Sequence, residues 1–395
     1  MNNLSKKRTI TGVLILFLSV VITLLMSFLY DKTWGEIIRN GVFSLAFSLG
    51  LIYFLLYSLK TDRLDYDNAE HPYRFLVVYM SGLLLTVLFP MIDKKGWIFL
   101  TIAISIALFS NTIIAFYVIS SFIVLTVLLA GTDIVAVAVY FLASFLGILL
   151  FQDIDKQFKV TASIFLSVLF LAILEIAGFV MLDNSKLDAE QFIMPIVNIA
   201  INSIAMFFCL KYFNTTVANR YRNKYLELND QEYSALIELK NVSKEEYYRS
   251  IHTAYLAERM ANKIGCDVDV TKNCAYYHRI KKAFNLSEKE CEEFVVKNQF
   301  PPKASKQLLE FLDKNSRLVS KEACIVYISD KFISTIMSIF AKDKKAKIDY
   351  AALVDTLFEK NFIRETLSES DLTHKDFRSI KEIILKETLY YDFFR

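Results

Sequence analysis

The chain has 395 residues, a hydrophobic content of 54% and a formal net charge of +3. Its mean hydropathy of +0.37 is too high for a water-soluble protein of this size. The near-neutral charge gives no reason to expect a nucleic acid polymer as a partner. Apolar residues concentrate in the first 215 positions, whereas Lys, Glu and Asp crowd the last 180. This distribution predicts a membrane domain followed by a soluble domain.

Eight apolar stretches of the first domain, residues 1–214, approach the length of about 20 residues that a membrane-spanning helix needs. They are residues 9–30, 37–59, 74–92, 97–109, 112–131, 134–151, 160–182 and 191–213. The region 97–131 is a single apolar stretch that is broken only by Ser110 and Asn111. It predicts either two short helices or one long kinked helix.

Eight spans place both chain termini on the same side of the cell membrane. Most of the cations that flank the spans fall on that side: Lys6, Lys7, Arg8, Lys60, Arg63, Arg74, Lys156 and Lys159. The positive-inside rule therefore makes both termini cytoplasmic, with Lys94 and Lys95 as exceptions on the other side. The loops 31–36 and 183–190 on that other side are too short to hold an extracellular domain.

Three polar residues lie within the predicted spans. Glu175 is in the middle of span 160–182, where a carboxyl group is costly and often functional. We expect either a protonated or hydrogen-bonded structural group or, alternatively, the site of a membrane sensor or transporter. Asn198 and Asn202 are one helical turn apart, which favours interhelical hydrogen bonds over a ligand site.

The soluble part has a helical pattern throughout. Residues 215–245 mix charges with Leu and Tyr and predict a helical connector. In residues 246–395 small and apolar side chains recur with a helical period, as at Ala254, Ala257 and Ala261. No stretch alternates as a strand would, so we predict an all-α protein. Near the end of the chain, Thr373 and Asp376 fit the N-cap and third positions of a capping box.

Six segments of the soluble part form a series: YLELNDQEYSALIEL, YYRSIHTAYLAERMANKIG, CAYYHRIKK, EFVVKNQF, EACIVYISDKFISTIMSI and ESDLTHKDFRSIKEIIL. From about Tyr225 onward this series resembles the seven-transmembrane HD phosphohydrolases, the PgpH-like cyclic di-AMP phosphodiesterases of bacterial signalling. The resemblance implies a cytoplasmic all-helical HD domain. In that family, His and Asp side chains hold two iron or manganese ions, and a metal-bound hydroxide cleaves a phosphodiester.

The resemblance also implies that this chain is a degenerate member of the family. Arg249 stands where the family has its first metal-binding histidine, and Arg279 replaces the aspartate of the HD pair. His278 and Asp330 match two ligands that are kept, while residues 300–320 contain none of the family's later histidines. We therefore expect no functional metal centre, no metal cofactor and no catalytic residue.

Two interpretations of the substituted site remain open. In the first, Arg279 pairs with Asp330 and Arg249 assists, so that an ion pair replaces the metals in holding the helices together. In the second, a cationic cluster binds the phosphates of a cyclic dinucleotide without cutting it. That cluster comprises Arg249, Arg279, Lys281 and Lys282, with Tyr276 and Tyr277 as candidates for stacking on a base.

These expectations lead to three functional hypotheses. The first is an inactive membrane-anchored regulator, scaffold or cyclic di-AMP receptor, paired as a homodimer or with an intact family member. The second is an active metal-dependent cyclic di-AMP phosphodiesterase with an atypical site around His252, His278 and Asp330. The third is a membrane sensor or transporter that uses Glu175. The family's large extracellular domain is missing in all three.

Overall fold

The computed structural model describes residues 2–61, 63–131, 134–152, 157–181, 189–313, 317–359 and 367–391. Within these ranges all regular secondary structure is helical, which confirms the prediction of an all-α protein. The chain forms two compact units, Met1–Asn219 and Arg220–Arg395. Lys156 and most of the predicted loop 183–190 lie outside the described ranges.

The first unit is a bundle of apolar helices. Its described α-helices are α1 (Asn2–Leu29), α2 (Trp34–Lys60), α3 (Pro72–Leu88), α4 (Phe99–Leu108), α5 (Thr112–Ala130), α6 (Ile134–Leu150), α7 (Gln157–Glu175) and α8 (Ile193–Phe213). Two π-helical segments, Ile176–Met181 and Asn214–Ala218, directly follow α7 and α8.

The second unit is built from shorter helices. Those described are α9 (Asn219–Leu228), α10 (Ser234–Val242), α11 (Lys244–Ile264), α12 (Val268–Tyr277), α13 (Ile280–Ala283), α14 (Glu288–Lys297), α15 (Pro302–Leu312), α16 (Lys321–Lys342), α17 (Tyr350–Glu359), α18 (His374–Lys386) and α19 (Thr388–Tyr391). Helices α11, α12 and α16 pack against one another at its centre.

Seven of the described helices are long and apolar enough to cross a membrane. Six belong to the first unit, whose surface exposes large apolar side chains such as Phe17, Phe28, Val77 and Ile134. Exposed apolar surface on this scale is typical of a face that meets lipid. The seventh helix, α16, lies in the core of the second unit. The chain is therefore a multi-pass membrane protein with a second helical unit.

The region 97–131 forms two helices that meet at Asn111. The Asn111 side chain accepts a hydrogen bond from the Ile114 backbone N–H and so caps the start of α5. Helix α4 has only ten residues, about 15 Å at 1.5 Å per residue, and eight of them are buried by the neighbouring helices. It is shorter than the predicted span 97–109, and burial inside the bundle shields its ends from lipid.

Hydrogen bonds show that the segment around α4 runs from one end of the bundle to the other. Before α4, the Trp97 indole N–H donates to the Phe89 carbonyl, just after the end of α3. After α4, the Asn111 amide donates to the Arg63 carbonyl and to the Ser58 hydroxyl, near the other end of α3. The segment thus crosses the bundle despite its short helix.

Both ends of the first unit lie at the end of the bundle that carries the loop 61–71. At the amino terminus, the Arg8 guanidinium donates to the Ala69 carbonyl at 2.8 Å. At the carboxyl end of α8, the Phe213 ring packs edge-on against Tyr66, with ring centroids 5.1 Å apart. This arrangement agrees with eight crossing segments.

The predicted connector 215–245 contributes to the core of the second unit. Its α9 and α10 bury Tyr225, Leu228, Leu236 and Leu239 there. The boundary between the two compact units falls between residues 219 and 220. Most of this segment is thus part of the second unit rather than a solvated linker.

The amphipathic face predicted for α11 is confirmed, since Ala254, Ala257 and Ala261 are all fully buried. These small side chains allow α12 and α16 to approach closely. Gly265 ends the helix in the left-handed conformation, with φ of +77°. Only glycine adopts this conformation without a steric cost.

The capping box at the start of α18 provides a test of local stability. The Thr373 hydroxyl accepts from the Asp376 backbone N–H, and the Asp376 carboxylate accepts from the Thr373 N–H. We expect Thr373→Ala to destabilise α18 by about 1 kcal/mol. Hydrogen–deuterium exchange of residues 373–386 should become several-fold faster, whereas Thr373→Ser should exchange as the wild type does. Unchanged exchange in Thr373→Ala would contradict the role of the cap.

Candidate functional site

The candidate site is centred on Asp330, in the middle of α16. Its side chain is only 6% exposed, because α11 and α12 cover this face of α16. A buried carboxylate is costly unless charged or hydrogen-bonding partners surround it. The partners of Asp330 therefore define the site.

Arg249 of α11 is the principal partner of Asp330. Its Nε donates to Oδ1 at 2.6 Å, and its Nη2 donates to Oδ2 at 2.7 Å. Two parallel bonds of this kind are the strongest arrangement between a guanidinium and a carboxylate. Both carboxylate oxygens are thus engaged by a single side chain.

His278, which directly follows α12, gives Asp330 a third hydrogen bond. Its Nε2 lies 3.0 Å from Asp330 Oδ1, and its Nδ1 lies 2.6 Å from the Ala275 carbonyl oxygen. Both of these partners are acceptors, so a ring nitrogen of His278 donates to its partner when it carries a proton. Burial raises the pKa of Asp330, but the charges and hydrogen bonds of His278 and Arg249 outweigh burial and hold that pKa below its ordinary value.

The roles of the two arginines are reversed from the expected ones. Arg279 was expected to pair with Asp330, but its closest approach to that carboxylate is 4.0 Å. Its Nε instead donates to Glu246 Oε2 at 2.6 Å. The reason is positional: Glu246 lies one turn before Arg249 on α11, and so it faces the residue that follows His278.

Glu246 forms the second anionic point of the site. Besides Arg279, it pairs with the Lys282 ammonium at 2.6 Å. Burial of the Glu246 carboxyl raises its pKa, but the hydrogen bonds and charges of Arg279 and Lys282 are stronger and lower the pKa to about 2. The sequence analysis did not single out this residue. The available signal was its position three residues before Arg249 on a helix that faces two new cations.

The remaining members of the predicted phosphate-binding cluster have other contacts. The Lys281 ammonium donates to the carbonyl of Leu312, the last residue of α15, at 2.8 Å. Tyr277 is fully buried, and its hydroxyl donates to the Leu228 carbonyl at 2.8 Å. Tyr276 is buried in the same core. Neither ring presents an open face on which a base could stack.

His252 does not join the hydrogen bonds described for Asp330. Its Nδ1 lies 2.7 Å from the hydroxyl of Tyr390, on the carboxyl-terminal helix α19. Burial lowers the pKa of His252 and favours its neutral form. The atypical site proposed around His252, His278 and Asp330 therefore divides into two separate sets of contacts.

The residues of this site do not fit a dinuclear metal centre. Arg249 donates to both oxygens of Asp330, and both nitrogens of His278 already lie within hydrogen-bonding distance of an oxygen. Arg249 and Arg279 also place positive charge where a cation would sit. Among the residues that the structure describes, no three His, Cys, Asp or Glu side chains converge in a way that could hold a metal ion.

The intramembrane polar residues form a separate network in the first unit. Asn198 donates to Glu175 and reaches the Tyr140 hydroxyl at 3.2 Å. The Asn202 amide donates to the Asn198 side-chain oxygen at 2.6 Å, and Asn202 accepts from the backbone N–H of Thr101 at 3.1 Å. These bonds join α8 to α4, α6 and α7.

The solved structures that this chain is similar to include two structures of one protein. They are the HD domain of the L. monocytogenes phosphodiesterase PgpH and the same domain in complex with cyclic di-AMP. The first is 18% identical, with a TM-score of 0.33, and the match covers 40% of this chain and 100% of that domain. The second is 17% identical, with a TM-score of 0.32, and covers 39% and 96%. No protein-family model and no curated protein matches this chain.

The Arg249–Asp330 pair can be tested by removing one partner and then both. We expect Arg249→Met to destabilise the second unit by about 3–5 kcal/mol, because Asp330 would remain buried without its bidentate partner, with only His278 and the more distant Arg279 near it. The double variant Arg249→Met/Asp330→Leu should lose less than Arg249→Met alone, since it removes both charges. The measurement is the urea midpoint of the second unit, followed by pulse proteolysis of the full-length chain in detergent.

A matched control is available at Arg378, whose side chain is 86% exposed and pairs only loosely with Glu382, at 3.7 Å. Arg378→Met should change stability by less than about 0.5 kcal/mol. Equal effects of Arg249→Met and Arg378→Met would show that the buried pair has no structural role.

The low pKa of Glu246 predicts that the second unit becomes less stable in acid. The pKa of this residue is about 2 in the folded chain and 4.5 as a free side chain. Since the folded pKa is depressed, the stabilisation is fully present above about pH 4.5 and is lost as the pH falls toward 2. The loss amounts to about 3 kcal/mol at 1.36 kcal/mol per pH unit. Urea midpoints measured across this range should fall less steeply for Glu246→Gln than for the wild type, and parallel curves would contradict the assignment.

Proposed function

We propose that this chain is a membrane-anchored regulator whose second unit is an HD-type helical domain without hydrolytic activity. The single observation that carries this proposal is the bidentate pair between Arg249 and Asp330. In the family that the sequence resembles, the aspartate at this position is a metal ligand. Here the same carboxylate accepts two hydrogen bonds from a guanidinium and lies 3.0 Å from His278, which supports a site that is compensated without a metal ion.

The first unit supplies the membrane anchor in this proposal. Its two ends lie together at the end of the bundle that carries Arg8 and the loop 61–71. That end is rich in Lys and Arg, and the positive-inside rule assigns it to the cytoplasm. The second unit follows α8 directly and is cytoplasmic in this proposal. A regulator in this position acts through protein partners, such as a second copy of the chain or an intact family member.

One observation favours a second candidate function, a receptor for cyclic di-AMP. Four cations lie at the site: Arg249, Arg279, Lys282 and Lys331. Arg249, Arg279 and Lys282 pair with the carboxylates of Asp330 and Glu246, and Lys331 lies within electrostatic range of Asp330, Arg249 and Arg279. The two phosphates of a cyclic dinucleotide are groups that such a cationic cluster can bind. Against this candidate, the phosphates must compete with carboxylates that already hold Arg249, Arg279 and Lys282.

The proposal is tested on the full-length chain in lipid nanodiscs. Elemental analysis measures bound manganese and iron after incubation with each metal, and chromatography follows the hydrolysis of added cyclic di-AMP. We expect no stoichiometric metal and no hydrolysis. Stoichiometric metal together with turnover would overturn the proposal and mean that other residues complete a catalytic centre.

Calorimetric titration with cyclic di-AMP distinguishes between two functions, a receptor for this nucleotide and a scaffold that does not bind it. In the receptor version, Arg279→Ala should abolish binding, whereas the exposed control Arg378→Ala should leave it unchanged. Absence of binding in the wild type would exclude the receptor and leave a scaffold that acts through protein contacts.

A further inference from the structure

Glu175 of the first unit is a buried carboxyl group with incomplete hydrogen bonding. It is the last residue of α7, and its side chain is fully buried within the bundle. Its Oε1 accepts from Asn198, but Oε2 has no hydrogen-bond partner among the described residues. An ionised carboxylate in this state is far more costly than a compensated one, both in a protein interior and within a membrane.

The hydrogen-bond donors around Glu175 are already committed elsewhere. The Tyr140 hydroxyl donates to the Lys94 carbonyl at 2.7 Å. The two N–H groups of the Asn198 amide face three acceptors, namely Glu175, the Tyr140 oxygen and the Trp97 carbonyl. The neighbouring amide N–H groups are those of Asn202, and they donate to the backbone and side-chain oxygens of Asn198. Among the residues that the structure describes, none therefore donates a hydrogen bond to Oε2, although the Tyr140 hydroxyl is close enough to act on this carboxyl group.

The acceptors around Glu175 are all oxygen atoms, and one of them has no donor. The Tyr140 oxygen accepts from the Trp97 backbone N–H, and the carbonyls of Lys94 and Trp97 accept from Tyr140 and Asn198, whereas Glu175 Oε2 accepts from none of the described residues. Oxygen atoms of these kinds are the ligands that hard cations prefer. What the network lacks is one positive charge at Oε2.

We propose that Glu175 is the binding site of one monovalent cation, either a proton or an alkali metal ion. The two share one chemistry, since each neutralises Oε2 and converts a costly buried charge into a tolerated group. The backbone supports a site at this position. Helix α7 changes into the π-helical segment Ile176–Met181 immediately after Glu175, and π-helical turns inside longer helices are frequent at functional sites.

The charged and titratable groups near Glu175 come from two directions. Tyr140 faces it from α6, and α8 presents the uncharged Asn198. The short turn before α4 carries Asp93, which acts on Tyr140, and Lys94, whose ammonium lies 5.9 Å from the centre of the Phe179 ring. A pH response that depends on Glu175 must therefore be separated from these groups by substitution.

The test uses the full-length chain and its own tryptophans. The sequence contains two, Trp34 and Trp97, and both lie in the first unit. The fluorescence of Trp97, which is buried next to Asn198, reports the thermal unfolding of the first unit. Melting temperatures are compared in sodium, in potassium and in the bulky cation N-methylglucamine at equal ionic strength, each over a series of pH values.

Two results support the site and identify its ligand. If the ligand is an alkali ion, the melting temperature rises with the logarithm of sodium or potassium concentration, because the ion binds the folded state. If the ligand is a proton, the melting temperature in N-methylglucamine falls as the pH rises, because the folded state loses its bound proton. Glu175→Gln, which supplies an amide N–H in place of the charge, should abolish either response, whereas the exposed control Glu190→Gln should retain it.

A response that is absent in the wild type, or equal in the wild type and Glu175→Gln, would overturn the proposal. If Glu175→Gln does not fold, infrared difference spectra of the wild type still decide the question. Acidification must produce the carbonyl band of a protonated carboxylic acid, or sodium must shift the carboxylate bands relative to N-methylglucamine. Spectra without either change would also overturn the proposal. The outcome is independent of metal binding or hydrolysis in the second unit.

Discussion

The second unit depends on one buried ion pair. Asp330 lies at the centre of α16, where α11 and α12 cover it, and an uncompensated carboxylate there would cost several kcal/mol. Arg249 comes from α11 and His278 from the end of α12. The single carboxylate therefore joins the three central helices of the unit.

A second constraint follows from the first. Arg249 places a positive charge next to residue 279, and an arginine at that position would be repelled unless it had an anion of its own. Glu246 supplies that anion from the first turn of α11, and Lys282 shares it. The two arginines and the two carboxylates thus form a coupled set. Changing any one of them alters the charge balance of the other three.

The sequence predicted the fold more completely than the site, for physical reasons. Apolar length and helical period act within one segment, so the bundle, its breaks and the buried face of α11 could be predicted. Ion pairing depends on where several helices place their side chains. The charges therefore predicted an ion pair at Asp330, but not that Arg249 would be its main partner, at 2.6 Å, and Arg279 a more distant one, at 4.0 Å. Glu246 was not predicted as part of the site because the segment KEEYY, residues 244–248, is typical of the solvent-exposed first turn of a helix. The burial of Tyr225 and Leu236 in the segment 215–245 was missed because α9 and α10 become stable only against the rest of the second unit.

Each unit contains a buried carboxylate, and the two must be neutralised in different ways. In the second unit Arg249 reaches Asp330 from the edge of the domain, and its side chain is 19% exposed. The apolar stem of an arginine can cross a packed layer while its guanidinium stays partly hydrated. Within the bundle the same solution would bring an arginine or lysine into a membrane span, and insertion of such a charge costs several kcal/mol more. Glu175 has one carboxylate oxygen without a hydrogen-bond donor among the described residues. A small cation that reaches this oxygen from the aqueous side would neutralise it, and no positively charged side chain would then be needed. The acceptors supplied by Tyr140 and by the carbonyls of Lys94 and Trp97 belong to the end of the bundle opposite the loop 61–71. A cation would therefore enter Glu175 from that end.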